Sequence, residues 1–177
     1  MAIVAYLETE NGNFKKSAFE VSSYGRKLAD ETKTNLYGIA FNSSDPLIIQ
    51  KYGVEKLINI KIDRLFNAKI YADLLCKNFK DLGGTFFITG SSADSRFIFP
   101  IVSILLDAGY VTNVIEFPSS ISPLVLKRSA FTNKGYVFTE LKTDYKIIGI
   151  LNNSYGIFES ETSLKVKDYI PESLDSN

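Results

Sequence analysis

Apolar residues follow two rhythms along the chain. Up to Gly109, short apolar runs alternate with stretches in which apolar residues recur every three or four positions, the spacing of a buried helix face. Residues 3–8 read as a buried strand, and Asn11, Gly12 and Asn13 mark a turn after it. Ser17-Ala18-Phe19-Glu20 predicts a capping box. Ala18, Val21, Gly25, Leu28 and Ala29 then hold helical spacing to about Thr32. A second strand covers 35–41. Asp45-Pro46 opens a short helix over 47–52 that stops at Gly53. Residues 56–62 alternate polar and apolar, as a half-exposed strand does. Asn67 opens a longer helix with a face of Ile70, Tyr71, Leu74, Leu75, Asn78, Phe79 and Leu82, ended by Gly83-Gly84. Residues 85–89 read as a buried strand. Asp94 is expected to cap a helix through Ala108, with Gly109 as its stop.

From Tyr110 the runs follow one another with only turns between them. Strands are expected at 110–117, 123–131, 135–142, 145–151 and 155–158. Strand–helix alternation followed by consecutive strands implies an α/β fold. The expected architecture is three layers, a mainly parallel sheet covered by helices, with a strand-rich C-terminal extension. From Val166 the chain turns polar and contains Pro171, so 1–165 is expected to form the domain and 166–177 a linker or tail.

Charge and composition narrow the chemistry. Twenty Lys and Arg balance twenty Asp and Glu among 177 residues, and the locally basic 61–64 is diluted by Asp63, which argues against nucleic-acid binding. There is no histidine. That removes the usual general base near neutral pH, every His-activated nucleophile and the commonest transition-metal ligand. One cysteine, Cys76, cannot form an intrachain disulfide and reads as a partly buried, inert thiol. The opening apolar run meets Glu8 and Glu10 too soon for a signal peptide. No stretch approaches the roughly eighteen apolar residues of a membrane span. A cytoplasmic protein, not embedded in a membrane, is the expectation.

One turn stands out. Gly90-Ser91-Ser92-Ala93-Asp94-Ser95-Arg96 follows a buried strand and opens a helix, the place where α/β sheets bind ligands and where free N–H groups can meet a phosphate. Ser91, Ser92 and Arg96 are the cofactor-binding candidates. The same residues also suit a plain helix cap, with Gly90 making the turn. Ser92 to Ser95 is similar in part to the pyrophosphate loop of ATP pyrophosphatases, but lacks its two glycines and follows a later strand. No dinucleotide or Walker pattern occurs, and no residue is assigned to catalysis or to a metal. Arg128 interrupts an apolar strand, either on its solvated face or at the rim of a subunit contact.

Several segments in sequence order resemble the N-terminal domain of the electron transfer flavoprotein alpha subunit. Val4 to Glu8 followed by Asn11 to Ser17 is similar to that family's first strand and its E-x-x-x-G-x-x-x-x-S helix entry. Tyr24-Gly25-Arg26-Lys27-Leu28-Ala29-Asp30 resembles G-R-x-L-A-D/E, and Lys51-Tyr52-Gly53-Val54-Glu55-Lys56 resembles x-Y-G-A-D-K. Gly90 to Arg96, with Pro100 and Leu105, resembles G-A-T-S-x-G-R-D-L-A-P-R-x-A-A-x-L. Thr112-Asn113-Val114 stands at S-D-V, and Arg128 at the Arg of R-P-x-x-x-G. The departures are Ser95 for Gly, Phe97 for Asp, Ile101 for the second Arg, Ser129 for Pro and Asn133 for Gly.

The resemblance implies an interaction and scaffold domain rather than an enzyme. It implies FAD in the intact heterodimer, on a further domain of the alpha subunit, and AMP in the beta subunit. The partners it implies are that beta subunit, dehydrogenases as electron donors and a quinone-linked oxidoreductase as acceptor. On this reading the chain is an isolated domain or a truncated gene. The alternative is a stand-alone nucleotide-binding module of universal-stress or pyrophosphate-loop type, built on the 90–96 turn.

Overall fold

A computed structural model describes residues 1–172. The elements run β1 (Ala2–Tyr6), β2 (Thr9–Glu10), β3 (Asn13–Phe14), α1 (Lys16–Glu31), β4 (Asn35–Phe41), a 3-10 helix (Pro46–Lys51), β5 (Lys56–Ile60), α2 (Ala68–Asp81), β6 (Gly84–Thr89) and α3 (Ala93–Leu106). They continue as β7 (Gly109–Val114), β8 (Ser120–Ile121), β9 (Leu124–Ala130), β10 (Gly135–Leu141), β11 (Lys146–Ile150) and β12 (Lys165–Tyr169). Seven strands pair in parallel in the order β7-β11-β6-β1-β4-β5-β12. The antiparallel hairpin β9–β10 extends the β7 end, with β8 beside β9.

Parallel strands are buried on both faces, and these are. Ile3, Ala5 and Leu7 pack toward α1, whereas Val4 and Tyr6 pack toward α2 and α3. The three-layer α/β architecture with a strand-rich extension therefore holds.

Several local details differ from the sequence reading. Helix α1 starts one residue before Ser17, its N-cap is Lys15, and no side chain caps it. The expected capping box does not form because Glu20 is engaged elsewhere. Asp45 precedes Pro46 as expected, but its side chain makes no cap bond and the helix is 3-10. Asn67 does cap α2, accepting from the Ile70 N–H at 3.1 Å. Ser92, not Asp94, caps α3, and Asp107 in the left-handed region, not Gly109, ends it. β5 is not half-exposed: residues 57–60 are all buried, and the Asn59 side chain is satisfied by the Ser43 backbone in both directions. Residues 155–158 form no strand, and 166–169, expected to begin a tail, pair together with Lys165 as the edge strand β12. The expected tail beyond 172 lies outside the described residues.

The segment 151–164 is a strap that crosses the α1 face from β11 to β12. Glu20 holds its start. The carboxylate is buried, and it accepts from the N–H groups of Asn153, Tyr155 and Gly156 at 2.8, 2.8 and 3.1 Å. Ser23 bonds both backbone groups of Phe158, and Thr162 donates to the Val54 carbonyl.

Arg26 ties α1 to the turn before β5. Its guanidinium meets Glu55 and Asp30, each at 2.7 Å, and the Gly53 carbonyl at 3.3 Å. Gly53 sits at φ +88°, and a Cβ there would lie 2.4 Å from Arg26 Cδ, so both backbone and space require glycine. Thus Gly53 and Glu55 of one family-like segment touch Arg26 of another.

Glu20→Ala should lower unfolding free energy by about 3 kcal/mol, since three backbone donors lose a charged acceptor. Urea denaturation measures it, and Glu20→Gln should retain part of the loss. Burial pushes the Cys76 thiol up to about 11, against a smaller opposing effect of Lys80. The folded state thus holds that proton more tightly than the unfolded chain. Stability contributed by the neutral thiol is full below about pH 9 and is lost as pH rises toward 11. Cys76→Ala should flatten the decline of unfolding free energy over that window. Native Cys76 should also alkylate far more slowly than free cysteine.

Candidate functional site

The 90–96 turn lies where expected, between the C-terminus of β6 and the N-terminus of α3. Its polar groups are turned inward. The Ser92 hydroxyl accepts from the Ser95 N–H at 3.0 Å as the helix cap. The Ser91 hydroxyl donates to the Ile150 carbonyl at 2.6 Å, and its N–H donates to Asn152 Oδ1 at 3.3 Å. Ser95 is fully buried and shares a hydrogen bond with Thr89 at 3.2 Å. Of the three sequence candidates, Ser91 and Ser92 are thus committed to joining β11 and α3 to β6. Arg96 stands exposed, near enough to Tyr110 to offset part of the rise that burial imposes on that phenol. The capping alternative is the one the geometry carries.

A crevice beside this turn contains residues the sequence reading missed. A cavity of about 290 Å³ opens at the C-terminal ends of β1 and β4. Tyr6, Glu8, Phe41, Phe66, Tyr71 and Asp94 line it, with Thr9, Asn11 and Asn42 at its rim, and no Lys or Arg among its lining residues. Tyr6 is 4% exposed, and its hydroxyl makes no hydrogen bond among the described residues. Burial, reinforced by Glu8, Tyr71 and Asp94, raises its pKa well above the ordinary phenol value. Tyr71 is raised by burial and by Asp94. Glu8 is buried and paired with Lys15. The Asp94 carboxylate is half-buried and forms no ion pair or hydrogen bond among the described residues. The available signal was Tyr6 and Glu8 at the end of the first apolar strand, where ligands sit in α/β folds.

The crevice is the usual nucleotide position of such sheets, but its chemistry opposes a phosphate. Two carboxylates line it, and the N–H groups of Ser91 and Ser95 in the adjacent turn are already bonded. Among the described residues, no group of three or more His, Cys, Asp or Glu could hold a metal ion.

The second notable surface is apolar. On α3, Phe97, Ile104 and Leu105 are exposed at 64%, 82% and 44%, and Ile101 is half-buried beside them. Their spacing of four, three and one residues makes one helical stripe facing outward. At the same end of the sheet, Tyr136 and Phe138 of β10 are 64% and 61% exposed. Leu141 packs on the α1 face, so alternation puts 136 and 138 on the face that α3 covers. Phe131 is exposed at the hairpin tip, but Tyr155 is packed against Tyr24 and Phe117, not displayed. Arg128 is half-buried: it reaches Thr112 Oγ1 at 3.5 Å, and its Nε is buried without a partner. It is no free rim charge.

Among the described residues, no helix is long and apolar enough to cross a membrane. No curated protein matches the chain. Among solved structures, the universal stress protein from Archaeoglobus fulgidus is similar at 14% identity and a TM-score of 0.40, over 56% of this chain and 86% of that one. The family model described as the electron transfer flavoprotein domain matches residues 3–168. With that match running from the first strand to the last, the chain belongs to the electron transfer flavoprotein domain family.

Proposed function

We propose that the chain is the N-terminal scaffold and interaction domain of an electron transfer flavoprotein alpha subunit. It would pack on a beta subunit in a heterodimer that carries electrons from dehydrogenases to a quinone-linked acceptor. The observation that supports this best is the outward apolar stripe of α3, with Tyr136 and Phe138 beyond it. A helix that faces only water presents polar residues there. Phe97 and Ile101 are also two of the positions where this chain replaces a charged residue of the family pattern with an apolar one. Such a surface suits the core of a subunit contact.

The chain carries no dinucleotide fingerprint, and at the α3 entry Ser92 and Asn152 engage the N–H groups of Ser95 and Ser91; both support a reading in which FAD is bound elsewhere than on this chain. FAD on a further domain of the alpha subunit, and AMP on the beta subunit, complete the proposal. The role of this chain within it is to pack and to orient, with no catalytic step assigned to its residues.

Co-expressed with its cognate beta subunit, the chain should co-elute on size exclusion. Ile104→Glu should weaken that complex by about 2 kcal/mol or more, the scale of an interface hot spot, and leave the melting temperature unchanged. Elution as a monomer with and without the beta subunit would sink the assignment. After incubation with FAD and desalting, the chain alone should be colourless, and stoichiometric flavin absorbance would refute that. Arg128→Glu should instead destabilise the fold, because it buries a carboxylate where a guanidinium is now packed. Thermal unfolding of that variant separates the two effects.

A further inference from the structure

The cavity at the ends of β1 and β4 holds three features that neither scaffold nor subunit packing uses. Asp94 brings an unpaired carboxylate. Glu8 gives one carboxylate oxygen to Lys15 and leaves Oε2 without a hydrogen bond. The Tyr6 hydroxyl, on a side chain almost wholly buried, reaches the cavity with no partner.

We propose that this cavity binds the head group of an organic cation, a primary ammonium or guanidinium on an aliphatic stem. The argument begins with the acceptor set. Ammonium and guanidinium groups are donors only, with three and five N–H bonds to place. Asp94, the free oxygen of Glu8 and the hydroxyls of Tyr6 and Tyr71 are acceptors at different depths of one space.

The walls agree with this. The rings of Tyr6, Phe41, Phe66 and Tyr71 line the cavity, with Phe41 stacked on Tyr71 at 4.0 Å and Phe66 edge-on to Tyr71 at 5.1 Å. Aromatic faces attract cations and accommodate methylene stems. A volume of about 290 Å³ suits a head group and a short stem, and lies at the lower limit of small-molecule pockets. A phosphate would meet Asp94 with no cation in the lining to offset it. For a metal ion, the described residues offer no group of three or more His, Cys, Asp or Glu.

The same chemistry has two sources, a free amine or the Arg or Lys side chain of a partner. Neither depends on the beta-subunit reading, because binding is measured on this chain alone. The experiment is an NMR titration of the isotopically labelled chain with agmatine and, separately, with Nα-acetyl-arginine methylamide. AMP and inorganic phosphate serve as the anionic comparison. Saturable shifts should appear at Tyr6, Glu8, Tyr71 and Asp94. Asp94→Asn should weaken binding by about tenfold or more, because the unpaired charge is removed. That variant leaves the helix cap on Ser92 intact, so its fold is kept. Tyr6→Phe, which removes only the buried acceptor, should weaken binding by about fivefold. Tighter binding of agmatine assigns the site to a free amine, and equal or tighter binding of the capped arginine assigns it to a partner side chain. Three results overturn the proposal: no saturable shift with either cation up to about 10 mM, unchanged affinity in Asp94→Asn, or tighter binding of AMP or phosphate at the same residues.

Discussion

A parallel sheet must be covered on both faces, and the described residues supply three α-helices with which to do it. The seven parallel strands span roughly 29 Å across the sheet at the usual strand spacing, whereas one helix covers about 10 Å. Helix α1 is alone on its face and shields about a third of it. The rest of that face is closed by irregular chain. The strap from Leu151 to Leu164, Ile49 of the 3-10 helix, and Phe117 and Ile121 of the segment before β9 all pack there. The carboxylate of Glu20 holds the strap in place, which is why a charged side chain is buried in α1. On the opposite face, α2 and α3 extend from β5 to β7, and the cover ends before the β9–β10 hairpin. The exposed rings of Tyr136 and Phe138 follow from that shortage.

The fold was legible because periodicity reports which faces are buried. The strands of the first half alternate with stretches at helical spacing, and that alone dictates a covered parallel sheet. Boundaries and caps were less legible, since they depend on partners far away in sequence. Ser17 and Glu20 have capping-box spacing, yet Glu20 binds backbone more than 130 residues along the chain. Asp94 looked like a cap because Asp is a good one, but the helix starts two residues earlier, where Ser92 has extended backbone and its hydroxyl accepts from the Ser95 N–H. β12 was missed because Lys165–Tyr169 is mostly polar and exposed; its backbone pairing with β5 decides it.

The family-like segments turn out to be largely architectural. Arg26 with Asp30, and Gly53 with Glu55, are distant in sequence but meet in one cluster, where Arg26 is half-buried between the exposed Asp30 and the half-buried Glu55. The same logic governs the hairpin tip. There the chain takes the left-handed conformation at three successive residues, and Asn133, at φ 62°, occupies the position of the family's glycine. Asparagine tolerates that region better than other non-glycine residues, so this departure preserves the turn. Phe97 and Ile101 differ in kind: they alter what α3 offers to its surroundings and leave its fold unchanged.

The ends of parallel strands and the start of a helix bias one edge of the sheet toward anions. That bias needs exposed N–H groups to act on a ligand. In this chain, N–H groups at the α3 entry are drawn inward by the Ser92 cap and the Asn152 side chain. The side-chain charge at this edge comes from Glu8 and Asp94, which make it negative. Lys15 pairs with Glu8, acts on Asp94 only from a distance, and lies outside the lining. Fold therefore explains where a ligand cavity forms, whereas two carboxylates and an unpartnered phenol determine the sign of what it accepts. Membership of the family carries the scaffold to this chain. It does not carry the ligand, which has to be read from Tyr6, Glu8, Tyr71 and Asp94 themselves.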